Sequence, residues 1–124
     1  MGQLIRNGVH LQNHEFETIK TLLKDDIEIN LIPPTQGKGI KTPDFTINNV
    51  IWEMKAPEGN GKKTMQNTIQ KAGKQSPNVI IDLRRSKMPQ NKAISELKQY
   101  FQLSKRLQKL KIITKDAVIL DFSK

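Results

Sequence analysis

Apolar positions along the chain switch between helical and alternating spacing, and each switch marks an element. Over residues 12–24, QNHEFETIKTLLK, the residues Phe16, Ile19, Leu22 and Leu23 recur at helical spacing. Asn13 suits the N-cap. Residues 27–32, IEINLI, alternate as a strand does, and 33–41, PPTQGKGIK, are broken by Pro and Gly into a loop. Two apolar runs follow, DFTI (44–47) and VIWEMK (50–55). Between them stands Asn48-Asn49, a pair that tolerates the positive φ of a two-residue turn, so the pattern predicts a hairpin. After a loop at 56–63, Met65, Ile69 and Ala72 mark one side of a helix over 64–75. NVIIDL (78–83) is nearly all apolar, as a central strand covered on both faces would be. The spacing of Ile94, Leu97, Phe101, Ser104 and Leu107 predicts the longest helix over 90–109. LKIITK (110–115) and AVILDF (117–122) form a terminal strand pair about Asp116.

The order is helix, three strands, helix, strand, helix, two strands. The first three strands can be antiparallel neighbours, and a strand–helix–strand step implies a parallel crossover. The expected fold is a mixed α/β sheet flanked by helices. It is one domain over residues 1–124, since the chain's length suits one core.

A two-residue turn at Asn48-Asn49 sets the hairpin register: Ile47 against Val50, Thr46 against Ile51, Phe45 against Trp52, Asp44 against Glu53. Phe45, Ile47, Val50, Trp52 and Met54 then share an apolar face. Asp44, Thr46, Ile51, Glu53 and Lys55 point the other way. Like charges directly opposite each other destabilise a sheet, so folding alone does not select Asp44 opposite Glu53. A divalent cation does, because Mg²⁺ takes one or two carboxylates and leaves sites for water and phosphate. Lys55, two residues along on the same face, could hold a phosphate or a nucleophilic water and stabilise charge in the transition state. The competing reading is an ordinary ion pair of Lys55 with Glu53 or Asp44 on a solvated face. Thr64, Thr68, Lys71 and Gln75 form a polar stripe on the helix over 64–75 that could edge the acids, or simply face water. Glu15 could reach the metal as a third carboxylate, or serve as a helix-start glutamate favoured by the dipole.

Charge sharpens the reading. Formal net charge is +9. Residues 1–35 hold three Lys/Arg against five Asp/Glu, whereas 62–115 hold fourteen against Asp82 and Glu96 alone. A one-sided basic surface suits a polyanion, nucleic acid above all. Arg84 and Arg85, with Lys87, Lys74, Lys62 and Lys63, are candidates for backbone phosphates, although Asp82 could pair with one of the arginines. Lys105, Arg106, Lys109 and Lys111 add nonspecific positive surface. Aromatics are few, so stacking platforms for single strands are not evident. Cysteine is absent, which excludes disulfides and thiolate metal sites, and His10 and His14 cannot make a zinc site alone. No apolar run approaches a membrane span, and the N-terminus lacks a signal-peptide h-region.

The set PDF (43–45), WEMK (52–55), Lys71 and Gln75 resembles the PD-(D/E)xK nuclease superfamily, whose core is helix, three strands, helix, strand. Within it, the chain is similar to the C-terminal tRNase domain of CdiA contact-dependent inhibition toxins from about Glu15 to Asp121. That similarity rests on the first-helix acid, KTPDF, the second acid nine residues on, KAGKQS and the apolar strand after it. The resemblance implies a restriction-endonuclease-like αβββαβ core with a C-terminal helix and strand pair. It implies Asp44 and Glu53 as ligands of Mg²⁺ or Mn²⁺ with Glu15 in support, Lys55 as catalytic lysine, and Lys71 and Gln75 lining the site. Some relatives use a lysine of the later helix instead, and both lysines are present here. The expected activity is a metal-dependent endonuclease, RNase before DNase, with tRNA as favoured substrate. It implies an acidic immunity protein as partner, a cytoplasmic site of action, and delivery as the C-terminal domain of a larger secreted toxin. A DNA endonuclease or nickase of the same fold, a non-catalytic nucleic-acid-binding regulatory module, and a free-standing intracellular or mobile-element nuclease stay open.

Overall fold

A computed structural model describes residues 2–33 and 44–124. The elements in chain order are β1 (Gln3–Ile5), α1 (Asn13–Leu22), β2 (Glu28–Leu31), β3 (Phe45–Ile47), β4 (Val50–Lys55), α2 (Thr64–Gly73), β5 (Asn78–Asp82), α3 (Gln90–Leu103), β6 (Lys109–Ile113) and β7 (Ile119–Ser123). The loop expected over 33–41 and the Lys41–Pro43 part of KTPDF fall almost wholly outside the described residues.

All seven strands join one mixed sheet in sequence order. Connection type explains each pairing. The helical crossovers make β1/β2, β4/β5 and β5/β6 parallel, while β2/β3, β3/β4 and β6/β7 are antiparallel. The expected mixed α/β class is therefore the observed one, and the run α1–β2–β3–β4–α2–β5 has the expected order.

The helices cover opposite faces. Ile19 and Leu22 of α1 pack with Ile29, Leu31, Phe45, Ile47, Trp52, Met54, Ile80 and Ile113. Across the sheet, α2 brings Met65, Ile69 and Ala72, and α3 brings Ala93, Leu97 and Phe101, onto Val79, Ile81, Leu110 and Ile112. β5 thus sends Val79 and Ile81 to one layer and Ile80 to the other, which is why its run is uninterruptedly apolar.

Several boundaries differ from expectation. β1 is new: three residues with no alternation to reveal them, held parallel to β2. The N-cap of α1 is Gln12 rather than Asn13. α3 stops at Leu103, not at 109. There the Ser104 hydroxyl accepts the Arg106 and Leu107 N–H groups, both at 3.2 Å, and turns the chain out of the helix. Leu107 still reaches the core, so its helical spacing misled. α2 likewise ends at Gly73 rather than 75. Val50, assigned to the apolar face, is exposed near the hairpin tip. Among the described residues, no helix is long and apolar enough to cross a membrane.

Candidate active site

The site begins with the β3–β4 turn. Asn48 and Asn49 have φ of 47° and 71°, the paired positive values of a type I′ turn whose twist matches the strands it joins. The turn is anchored to β2: Asn48 donates its N–H to the Glu28 carbonyl at 2.9 Å, and its Oδ1 accepts the Glu28 N–H at 2.8 Å. The ladder then pairs Ile47 with Val50, Thr46 with Ile51 and Phe45 with Trp52. The next rung of that register is Asp44 opposite Glu53.

Glu53 has strands on both sides, since β5 pairs Val79 with it and Ile81 with Lys55. It is only 1% exposed. Its Oε2 lies 3.3 Å from the Lys55 ammonium, which is about one-third exposed. Its Oε1 is buried without a hydrogen-bond partner among the described residues. Asp44 accepts the Met54 N–H on Oδ2 at 3.0 Å and fixes its own backbone through the Ile32 N–H.

Burial, and then the charge of Asp44, pushes the Glu53 carboxyl up to about 7; Lys55 only partly opposes them. Burial also raises Asp44, against the lowering effects of the Met54 N–H, the Glu53 hydrogen bond and Lys55. Burial and the charge of Asp44 therefore favour the protonated form of Glu53 when no metal is bound. Two opposed carboxyls, one of them with an unpartnered buried oxygen, are hard-oxygen donors whose repulsion on ionisation a divalent cation relieves, so these residues fit Mg²⁺ or Mn²⁺. The charge of Glu15 is felt at Asp44, where it raises the pKa. Its own Oε1, however, accepts the Gln12 N–H at 2.9 Å as a helix cap. Among the described residues, no three acidic or histidine side chains stand close enough together to hold a metal.

The polar stripe of α2 divides. Thr68 and Lys71 join Lys55, Ala56 and Pro57 around a shallow cavity of about 170 Å³, so two lysines open onto one space. Thr68 also donates to the Thr64 carbonyl at 2.7 Å, the ordinary bond of a helical threonine. Gln75 stands beyond the end of α2 and does not line that cavity. Lys74 faces a different cleft, beside α3. Lys62 and Lys63 are exposed at the start of α2.

The two arginines are engaged. Arg84 holds Asp82 through Nη2 at 2.8 Å and Nε at 3.1 Å, and Arg85 pairs with Glu58. Asp82, 3% exposed, also accepts the Thr18 hydroxyl at 2.6 Å. Burial works to raise its carboxyl, but the Arg84 and Thr18 hydrogen bonds prevail and hold it below the usual aspartate value. The sequence allowed the Asp82–Arg pair. It gave no sign of Thr18, a polar residue on the buried side of α1 whose placement beside Ile19 was the available clue. Asp82, Arg84 and Arg85 share a cavity with His14 and Glu17, apart from the acid pair.

A family model for the contact-dependent growth inhibition CdiA C-terminal domain matches residues 41–119. A chain in the solved CdiA-CT/CdiI toxin and immunity complex from Burkholderia pseudomallei has a similar fold. It aligns over 99% of this chain and 100% of that one, with a TM-score of 0.73 and 19% sequence identity. A comparison with curated proteins finds no match.

Proposed function

This chain belongs to the contact-dependent growth inhibition CdiA C-terminal domain family, and on that footing we propose that it is a toxin domain that hydrolyses nucleic-acid phosphodiester bonds with a divalent metal. The observation that carries the reading is Asp44 opposite Glu53 at the end of a fixed hairpin register, with an unpartnered buried oxygen and Lys55 alongside. Folding does not favour that arrangement, whereas cation and phosphate binding do.

Asp44 and Glu53 would hold Mg²⁺ or Mn²⁺, which when bound supplies positive charge at the phosphate and lowers the pKa of water. The chain's own part is positional and electrostatic. The Met54 N–H and the Ile32–Asp44 bond keep Asp44 aimed, and burial in mid-sheet keeps Glu53 in place. Lys55, drawn to Glu53, presents an ammonium where negative charge grows on the phosphate. Lys71, across the same cavity, is a second cation for the substrate backbone. Glu15 adds negative charge near Asp44, which favours a bound cation. The basic surface over 62–115, with Lys62 and Lys63 exposed, guides the polyanion in.

We favour tRNA as substrate and the cytoplasm as the place of action, with delivery as the end of a larger secreted protein. An acidic immunity protein is the expected partner: the solved structure of similar fold is a toxin and immunity complex, and this chain carries +9. The test is incubation with total tRNA, plasmid and linear duplex, each with Mg²⁺ or Mn²⁺. Cleavage of tRNA alone supports the reading. Cleavage of plasmid or duplex alone makes the protein a DNA endonuclease of the same fold. Salt-sensitive binding with no cleavage makes it a non-catalytic module.

A further inference from the structure

The α2–α3 side of the molecule holds a second cleft, apart from the acids and unused by the chemistry above. It is about 250 Å³, with Ile69, Gly73 and Leu107 at its apolar base and Tyr100 in its wall. Lys74, Arg106, Gln70 and Ser104 line it too, and no acidic side chain does. Gly73 makes room for this base, because a Cβ there would come 3.2 Å from Leu107 Cδ2. Tyr100 is the chain's one tyrosine. It is half-buried and packed on the core, so its ring is held rather than free. The sequence offered no visible stacking platform. The end of α3 at Leu103 creates this one by turning Ser104, Arg106 and Leu107 back toward α2.

A braced aromatic ring, an apolar base and two cations without an acid match an anionic ligand with a flat apolar part. We propose that this cleft is a nucleotide subsite: one unpaired base of a single strand lies against Tyr100, and its flanking phosphates meet Lys74 and Arg106. The placement joins it to the cavity beside the acid pair. Lys71 lines that cavity and Lys74 this cleft, and the two are three residues apart, about 4.5 Å along α2. A strand crossing α2 would meet both lysines in turn. The subsite rests on the nucleic-acid reading, deepens it toward single-stranded or looped substrates, and assigns Tyr100 to specificity rather than to chemistry.

The test is the affinity of a fluorescently labelled single-stranded RNA oligomer and its duplex form in EDTA, for the wild type and for Tyr100→Leu and Tyr100→Phe. Loss of a base–aromatic stack should weaken single-strand binding by Tyr100→Leu roughly tenfold, with Tyr100→Phe close to wild type and duplex binding unchanged. Equal single-strand affinity in wild type and a folded Tyr100→Leu overturns the subsite. If Tyr100→Leu does not fold, the double variant Lys74→Ala/Arg106→Ala decides: it should lower the salt dependence of binding by about one to two released ions, and an unchanged dependence overturns the proposal. Tyr100-dependent binding without cleavage in Mg²⁺ or Mn²⁺ keeps the subsite and sinks the nuclease reading. Metal-dependent cleavage with Tyr100-independent binding does the reverse.

Discussion

At Glu53, the proposed function and folding pull in opposite directions. Its carboxyl ordinarily titrates near 4.5 and is pushed up to about 7 in the folded protein. Between those values the folded state keeps a proton that the unfolded state has lost. Metal-free stability contributed by this residue is therefore full below pH 4.5 and falls as pH rises through 7. Glu53→Gln removes the titration, so its stability relative to wild type should improve by roughly 2–3 kcal/mol between pH 4.5 and 8. Urea unfolding at both pH values in EDTA measures this, and an unchanged difference would count against the raised Glu53 carboxyl. Excess Mn²⁺ should raise the wild-type melting temperature and leave Glu53→Gln nearly unmoved. The two lysines are separable as well. Lys55 contacts Glu53 at 3.3 Å, while Lys71 reaches only the shared cavity. Lys55→Met should therefore lower kcat by about a hundredfold or more, and Lys71→Met should mainly raise KM. Steady-state kinetics showing the opposite split would make Lys71 the catalytic lysine.

At the scale of the element, the site depends on a turn. Asn48 and Asn49 both sit at positive φ, a region that costs an ordinary residue roughly 1–2 kcal/mol. Asn49→Gly should be neutral or slightly stabilising. Asn49→Val should cost about 1–2 kcal/mol and a larger share of activity, because a slipped register takes Asp44 away from Glu53. Chemical unfolding and cleavage assays on the same samples check both. This hairpin was legible in the sequence because Asn-Asn between alternating apolar residues has few other uses, and its turn length dictates every pairing. Buried β5 was legible for a similar reason: an unbroken apolar run needs cover on both faces. The ends of α2 and α3 were not. Apolar spacing carries on past Gly73 and Leu103 into residues that are buried without being helical, Leu107 above all. β1 was illegible because three edge residues carry no period. Of the proposed site, the placement of Asp44 opposite Glu53 with Lys55 alongside followed from the register alone. The loss of Gln75 from the cavity followed from a helix end that only the three-dimensional structure revealed.

At the scale of the molecule, the sheet separates two jobs. The α1 face is closed by Thr18 and Arg84 on buried Asp82, and the α2–α3 face carries the acid pair, Lys71 and the Tyr100 cleft. Asp82→Ala strips Arg84 and Thr18 of their partner and should cost roughly 3 kcal/mol, seen as a lower urea midpoint. Asp44→Asn should leave that midpoint intact or higher in EDTA, so the two aspartates distinguish structure from function. The central claim, that the Asp44–Glu53 pair works through a divalent cation to cut nucleic acid, is tested most directly by one comparison. Cleavage of total tRNA by wild type and by Glu53→Ala is followed in Mg²⁺ and again in excess EDTA. The account predicts cleavage only by wild type and only with the metal; wild-type cleavage that persists in excess EDTA would contradict it.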